Sequence, residues 1–161
     1  MSEQMTFLDF FSGIGGFRAG LELCGMKCKG HCEIDKYANR SYAAIFDIKE
    51  DEWYGEDITK VKPEELPRVN IWTGGFPCQD YSIMKKNSAG IEGTKGALWW
   101  QIDDILREKR PKYVLLENVD RLIRSPAKQS GRDFSIILRC LYEKGYAVEW
   151  RVINAADYGY A

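Results

Sequence analysis

The chain opens with Thr6-Phe7-Leu8-Asp9-Phe10-Phe11, a β-prone run that stops at Ser12-Gly13-Ile14-Gly15-Gly16; Phe17, Leu21 and Cys24 then recur at helical spacing. A strand, a glycine turn and a helix are therefore predicted. A second strand at residues 27–32 ends at Glu33 and Asp35, and a helix with Ala38, Tyr42 and Ile45 on one face follows. Asn70-Ile71-Trp72-Thr73 and Tyr113-Val114-Leu115-Leu116 are short apolar-rich runs that read as buried strands. Between them lie a glycine-studded loop and an amphipathic helix carrying Leu98, Ile102, Ile105 and Leu106. Phe134, Ile137, Leu138 and Leu141 mark a further helix, which Gly145 should close in a left-handed conformation. Residues 147–153 alternate as a last strand.

Alternation of strand and helix predicts an α/β fold with a mostly parallel sheet. With 161 residues and no compositional break, repeat or Pro-rich linker, the chain reads as one domain, 1–161. Residues 82–96 form a long polar stretch without periodicity, a length at which loops in compact domains commonly serve function. No apolar run approaches the roughly 18 residues a bilayer requires, and the first residues lack a secretory signal's charge and apolar core, so a cytoplasmic location is expected. Cys24, Cys28, Cys32, Cys78 and Cys140 lack the spacing of zinc pairs, so no metal is expected, and the first three read as buried packing thiols. His31 reads as locally packed, and Trp99 and Trp100 as core and helix-face residues. The net charge of −1 does not by itself point to nucleic acid.

Two places carry candidate chemistry. At the glycine turn, Gly13, Gly15 and Gly16 let the backbone approach a ligand, and the helix start presents unpaired amides. Glu33 follows Gly13 at the distance at which sheets of this kind place an acid for ribose hydroxyls. Arg18 stands where the dinucleotide fingerprint has its third glycine, which argues against NAD; a tight turn without a ligand stays open. At the second place, Gly74-Gly75-Phe76-Pro77-Cys78-Gln79 puts Cys78 beyond the carboxyl end of a strand, where open α/β sheets bind ligands. A thiol there becomes a nucleophile where positive charge favours the thiolate, and Lys85 and Lys86 are near in sequence; elsewhere a lone cysteine is a small buried hydrophobe. Glu117-Asn118-Val119 ends the neighbouring strand, so Glu117 falls in the same crevice, as a working acid or a structural acceptor.

Asp9-Phe10-Phe11-Ser12-Gly13-Ile14-Gly15-Gly16-Phe17 resembles the first motif of the DNA (cytosine-5) methyltransferases, Pro77-Cys78-Gln79 the fourth and Glu117-Asn118-Val119 the sixth. The resemblance implies a Rossmann-like S-adenosylmethionine-dependent methyltransferase sheet, incomplete at its C-terminal edge. It implies a cofactor site made of Phe11, Ser12, Gly13, Gly15, Gly16, Glu33 for the ribose, Ile34 on the adenine face where the family often has tryptophan, Asp57 for the adenine amino group, Ile58, Pro77 and Leu98. The implied reaction methylates C5 of cytosine in DNA, with Cys78 bonding covalently to C6 and Glu117 gripping the N3 and amino edge. Gln79, Ser82, Lys95 and Asn118 fall on the substrate side. The target base would be flipped out of the duplex, with residues 82–96 closing over it.

The resemblance runs from Asp9 to Tyr160 and stops before the family's Gln-x-Arg-x-Arg motif, target-recognition region and terminal helix. The chain is thus expected to be a truncated product or one piece of a split enzyme of bacterial or phage type, inactive alone. In the family a final strand lies between those matching 113–116 and 147–153. Residues 147–153 are therefore expected to pair directly with the 113–116 edge or with another chain, either a complementary C-terminal chain or a second copy. Alternative readings are an inactive S-adenosylmethionine-binding or assembly fragment, a tRNA cytosine-5 methyltransferase, and an unrelated thiol or NAD enzyme on a similar sheet.

Overall fold

Among the described residues five strands, Thr6–Phe10 (β1), Lys27–Cys32 (β2), Trp53–Gly55 (β3), Ile71–Gly75 (β4) and Tyr113–Glu117 (β5), form one sheet in the order β3-β2-β1-β4-β5 with all four pairings parallel. The computed structural model describes residues 4–77, 97–126 and 128–160. Among the described residues three helices lie between strands, Gly16–Leu23 (α1), Lys36–Ile45 (α2) and Ala97–Lys109 (α3), and a fourth, Arg132–Glu143 (α4), follows β5. Among the described residues no helix is long and apolar enough to cross a membrane.

β1 and β4 are buried on both faces, so their sequences are apolar without alternating. Leu8, Phe10 and Trp72 point to the larger core, with Trp99, Ile102, Ile105 and Leu106 of α3 and Ile137 and Leu141 of α4. Phe7 and Ile71 point the other way, with Cys28 and the partly buried Leu21 and Met26. The register between β1 and β2 slips between Phe7↔Cys28 and Asp9↔His31, which puts one extra residue in β2 and turns Cys28 and His31 to the same face. There His31 stacks on Tyr42 of α2 with ring centroids 4.1 Å apart, the packed role expected of it.

Helix ends follow local chemistry. Asp35 caps α2 by accepting from the amides of Tyr37 and Ala38, and α4 ends at Gly145, whose φ of 85° is left-handed as the sequence predicts. The Gly145 amide donates to the Tyr142 carbonyl and the Tyr146 amide to that of Leu141.

Four expectations fail. Residues 147–153 are not a strand and do not pair with β5; the sheet of the described residues ends at β5. Instead, residues 148–153 line a cleft of about 440 Å³ together with β5, the residues after it and α4, and neither they nor the outer edge of β5 have a ladder partner among the described residues. β5 is half-exposed rather than buried: Tyr113 and Leu115 are 48% and 47% accessible, because only Val114 and Leu116 face the α3–α4 core. Cys24 lies past the end of α1 and is exposed, whereas Cys28 and Cys32 are buried in the sheet as expected. Ile45 in the last turn of α2 is also exposed, since Tyr42 and Phe46 occupy the contact with the sheet side.

Candidate active site

In a parallel sheet all strands end on one edge, and segments leaving those ends collect there. The described residues singled out from the sequence stand on this edge or, like Leu98, in the first turn of α3. Cys78, Gln79, Ser82 and Lys95 lie outside the described residues.

The turn after β1 is held in an unusual shape. Phe11 has a φ of 53°, one of two non-glycine residues with positive φ among those described, a conformation that costs on the order of 1 kcal/mol or more. Its ring packs on the larger core, and the next amide, of Ser12, donates to the Cys32 carbonyl at 3.1 Å, tying the turn to the end of β2. Gly15, at φ 94°, precedes α1 and must be glycine for a second reason: a β-carbon there would lie 2.2 Å from the Phe46 ring. Gly16 then begins α1 with no side-chain cap at Gly15, which leaves the amides of Gly16 and Phe17 for an acceptor, while the Arg18 amide favours the Asp9 carboxylate.

Glu33, just past β2, reaches back to the same turn. Its Oε2 accepts from the Gly13 amide and its Oε1 from the Asp35 amide, both at 2.8 Å, while its own carbonyl accepts from the Asn39 side chain at 2.7 Å. An acceptor-rich carboxylate is thus fixed against the glycine turn. Ile34 beside it is 68% exposed, an apolar surface at the mouth of the site. Asp57 accepts from the Thr59 amide and hydroxyl, and these bonds hold its carboxyl below the usual range. The next residue, Ile58, is buried and anchors this segment to the larger core. Ser12 Oγ is buried and has no hydrogen-bond partner among the described residues.

The second half of the site is the adjacent pair of strand ends β4 and β5. Gly75 is in register with Glu117, and Glu117 Oε2 lies where a side chain on residue 75 would meet it. Beyond Gly75, Phe76 is buried against Trp99 with ring centroids 5.7 Å apart, and Pro77 follows. Asn118 donates from Nδ2 to the Phe76 carbonyl at 2.9 Å, joining the chain after β5 to the chain after β4. Leu98 packs against the same core. The fully buried Trp99 and the 38% exposed Trp100 hold the core and helix-face positions expected of them.

Sequence reasoning missed Asp9, Thr73 and Gly75. Asp9 is fully buried beneath the glycine turn, accepting from the Thr73 hydroxyl at 2.8 Å, and burial pushes its carboxyl up to about 7. A charged residue in the middle of an apolar strand was the available signal. For Gly75 the only signal was a glycine pair before Pro-Cys. Among the described residues no group of His, Cys, Asp or Glu could hold a metal ion.

Comparison with known proteins identifies the family and the fold. The sequence pattern of the family described as C-5 cytosine-specific DNA methylase matches residues 5–161. The chain is 45% identical to the type II methyltransferase M.Sau3AI of Staphylococcus aureus, across 98% of this chain and 41% of that protein. It is 43% identical to the type II methyltransferase M.NgoBI of Neisseria gonorrhoeae, across 94% of this chain and 45% of that one. The chain thus spans less than half the length of these relatives. In fold it is similar to the Entamoeba histolytica methyltransferase EhMeth, with a TM-score of 0.75 at 23% identity, covering 97% of this chain and 49% of that structure.

Proposed function

The chain belongs to the C-5 cytosine-specific DNA methylase family, and from that premise we propose that it forms the cofactor-binding and nucleophile-bearing part of an enzyme that methylates C5 of cytosine in DNA. The observation that carries this reading is the register of Gly75 with Glu117, which sets the Glu117 carboxyl beside the end of β4, after which the sequence continues Phe76-Pro77-Cys78.

The first half of the site suits S-adenosylmethionine by the chemistry of its donors and acceptors. Glu33 offers a fixed carboxylate to ribose hydroxyls, Asp57 an ionised acceptor to the adenine amino group, and Ile34 an apolar face to the ring. Phe11, Ser12, Gly13, Gly15 and Gly16 form the turn against which the methionine end would lie, with Ile58, Pro77 and Leu98 as walls. When bound, this cofactor supplies the electrophilic methyl group.

Cytosine C5 is too weak a nucleophile to take that group unaided, so the chain's residues must raise its electron density. Cys78 bonds through its sulfur to C6 while Glu117 holds N3 and the amino edge, donating the proton that lets the ring accept the thiolate. C5 then carries the electron pair. After methylation, loss of the C5 proton and departure of Cys78 from C6 restore the ring. Gln79, Ser82 and Lys95 belong to the substrate side of this reading. Because C6 is inaccessible in a stacked duplex, the base must leave the helix.

The test is trapping on duplex DNA containing 5-fluorocytosine, with the chain fused to the C-terminal part of a relative. Cys78→Ser should abolish the covalent complex, and the other four cysteines should be dispensable; retained trapping in Cys78→Ser would overturn the mechanism. Trapping on a fluorinated tRNA but not on DNA would move the substrate to RNA.

A second reading is favoured by the cleft between β5 and residues 148–153, where Trp150, Val152 and Ile153 are 61–64% exposed. In that reading the chain is completed by a strand from a complementary chain or a second copy. Light scattering of the isolated chain, alone and with the C-terminal part of a relative, distinguishes the two.

A further inference from the structure

Asn118 was placed on the substrate side by sequence, yet both ends of its amide are engaged by neighbouring main chain. Nδ2 donates to the Phe76 carbonyl at 2.9 Å and Oδ1 accepts from the Val119 amide at 3.0 Å. The Phe76 carbonyl stands one residue beyond the β4–β5 ladder, which ends at Gly75↔Glu117, so without Asn118 the ladder would not reach it. The Phe76 ring is already fixed in the core against Trp99. Ring and carbonyl together leave the chain little freedom in the direction it takes into Pro77.

We propose that Asn118 is a positioning residue, which ties the exit of β4 to the exit of β5 and so sets the approach of the chain to Cys78 in fixed relation to Glu117. This rests on the reading of Cys78 as the nucleophile. Asparagine suits the task because it supplies a neutral donor of the right length: aspartate would set a carboxylate against the Phe76 carbonyl, and serine would fall short of it. The neighbouring Glu117 contributes its carboxyl to the site, whereas Asn118 acts through the main chain of residue 76.

The experiment uses the 161-residue chain and the variants Asn118→Ala and Asn118→Leu, the second similar in size to asparagine but without a donor. Iodoacetamide labelling of each cysteine is followed by peptide mass spectrometry across the thiol titration range, with the exposed Cys24 as internal control. Loss of a single positioning hydrogen bond should change the Cys78 labelling rate by about threefold or more, or displace its pH profile, in both variants. Cys24 labelling should stay as in the parent. A Cys78 profile that superimposes on the parent's in both variants overturns the proposal, as does a change shared with Cys24, which would mark general loosening. Failure of the underlying reading is visible in the parent alone, as a Cys78 that titrates like Cys24. Failure of the positioning role is visible only in the difference between parent and variants.

Discussion

Gly75 and Glu117 face one another across the last two strands of the sheet, and a β-carbon on residue 75 would lie 3.0 Å from Glu117 Oε2. That distance is too short for an undisturbed contact, but the obstructing atom is the free end of a side chain. Gly75→Ala should therefore leave the fold intact and push the Glu117 carboxyl by a few tenths of an ångström. Misplacement on that scale should lower the rate of methyl transfer in a full-length fusion by about tenfold. Thermal melting, cofactor titration and single-turnover methylation check this together: an unchanged rate would show that the Glu117 position tolerates the shift.

Glu33 and Glu117 should separate cofactor binding from chemistry. Glu33 bonds to the Gly13 and Asp35 amides at the turn, while Glu117 stands at the other pair of strand ends. Glu33→Ala removes a charged acceptor from that turn and should weaken S-adenosylmethionine binding by about tenfold or more. Glu117→Ala should leave binding near the parent's value and slow methyl transfer. Isothermal titration of both variants decides, and the reverse pattern would overturn the division of the site.

Much of this site was legible in the sequence because its parts are local. A glycine turn, the helix stop at Gly145 and the breaks at the ends of apolar runs are each read from a few adjacent residues, and a parallel sheet then brings strand ends together without further information. What was illegible depends on tertiary neighbours. Whether residues 147–153 become a strand depends on a ladder partner, and alternation in sequence supplies none. The half-exposure of β5 likewise reflects its place at the edge, because its residues are as apolar as those of β4. The strand Trp53–Gly55 was too short for a periodic signal and exists by pairing with β2. Asn118 and Gly75 were visible as residues, but their tasks emerge only from what lies opposite them.

Arg18, which argued against a dinucleotide site, proves to be a structural bolt. Its guanidinium donates to both carboxylate oxygens of Glu52, at 2.7 and 3.0 Å, and lies over the Phe46 ring, while both ion-pair side chains are only 4% exposed. The same Phe46 ring fills the space beside Gly15, so the pair supports the glycine turn from behind. Arg18→Met would leave the Glu52 charge buried without its partner, at a cost of about 3–5 kcal/mol. Replacing Glu52 by leucine in that background should recover much of the loss. Urea unfolding of the single and double variants measures both effects, and a single variant as stable as the parent would contradict this role.

The last prediction concerns Asp9 and pH. Its carboxyl is fully buried, and burial raises it from the ordinary value of 3.8 to about 7 against the opposing pull of the Thr73 hydroxyl and of Arg18. Oδ2 has no hydrogen-bond partner of normal geometry among the described residues, and burial outweighs the Thr73 hydroxyl and the Arg18 amide, which both favour the ionised form. The charged groups acting on it are Arg18, which favours ionisation, and Glu33, which opposes it. Since the folded chain holds this proton more tightly than the unfolded chain, the stability it contributes is complete below the ordinary carboxylate range. That contribution is lost as pH rises toward about 7. Asp9→Asn keeps the shape without the titration. Relative to the parent, the variant should gain stability steadily from acid to neutral pH and level off above it, by about 3–5 kcal/mol in all. Comparing the two chains cancels the groups they share, including His31, whose burial lowers its own affinity for protons and gives the opposite slope. Denaturant unfolding of both chains across that pH range tests the assignment, and parallel curves would show that Asp9 is not the titrating group.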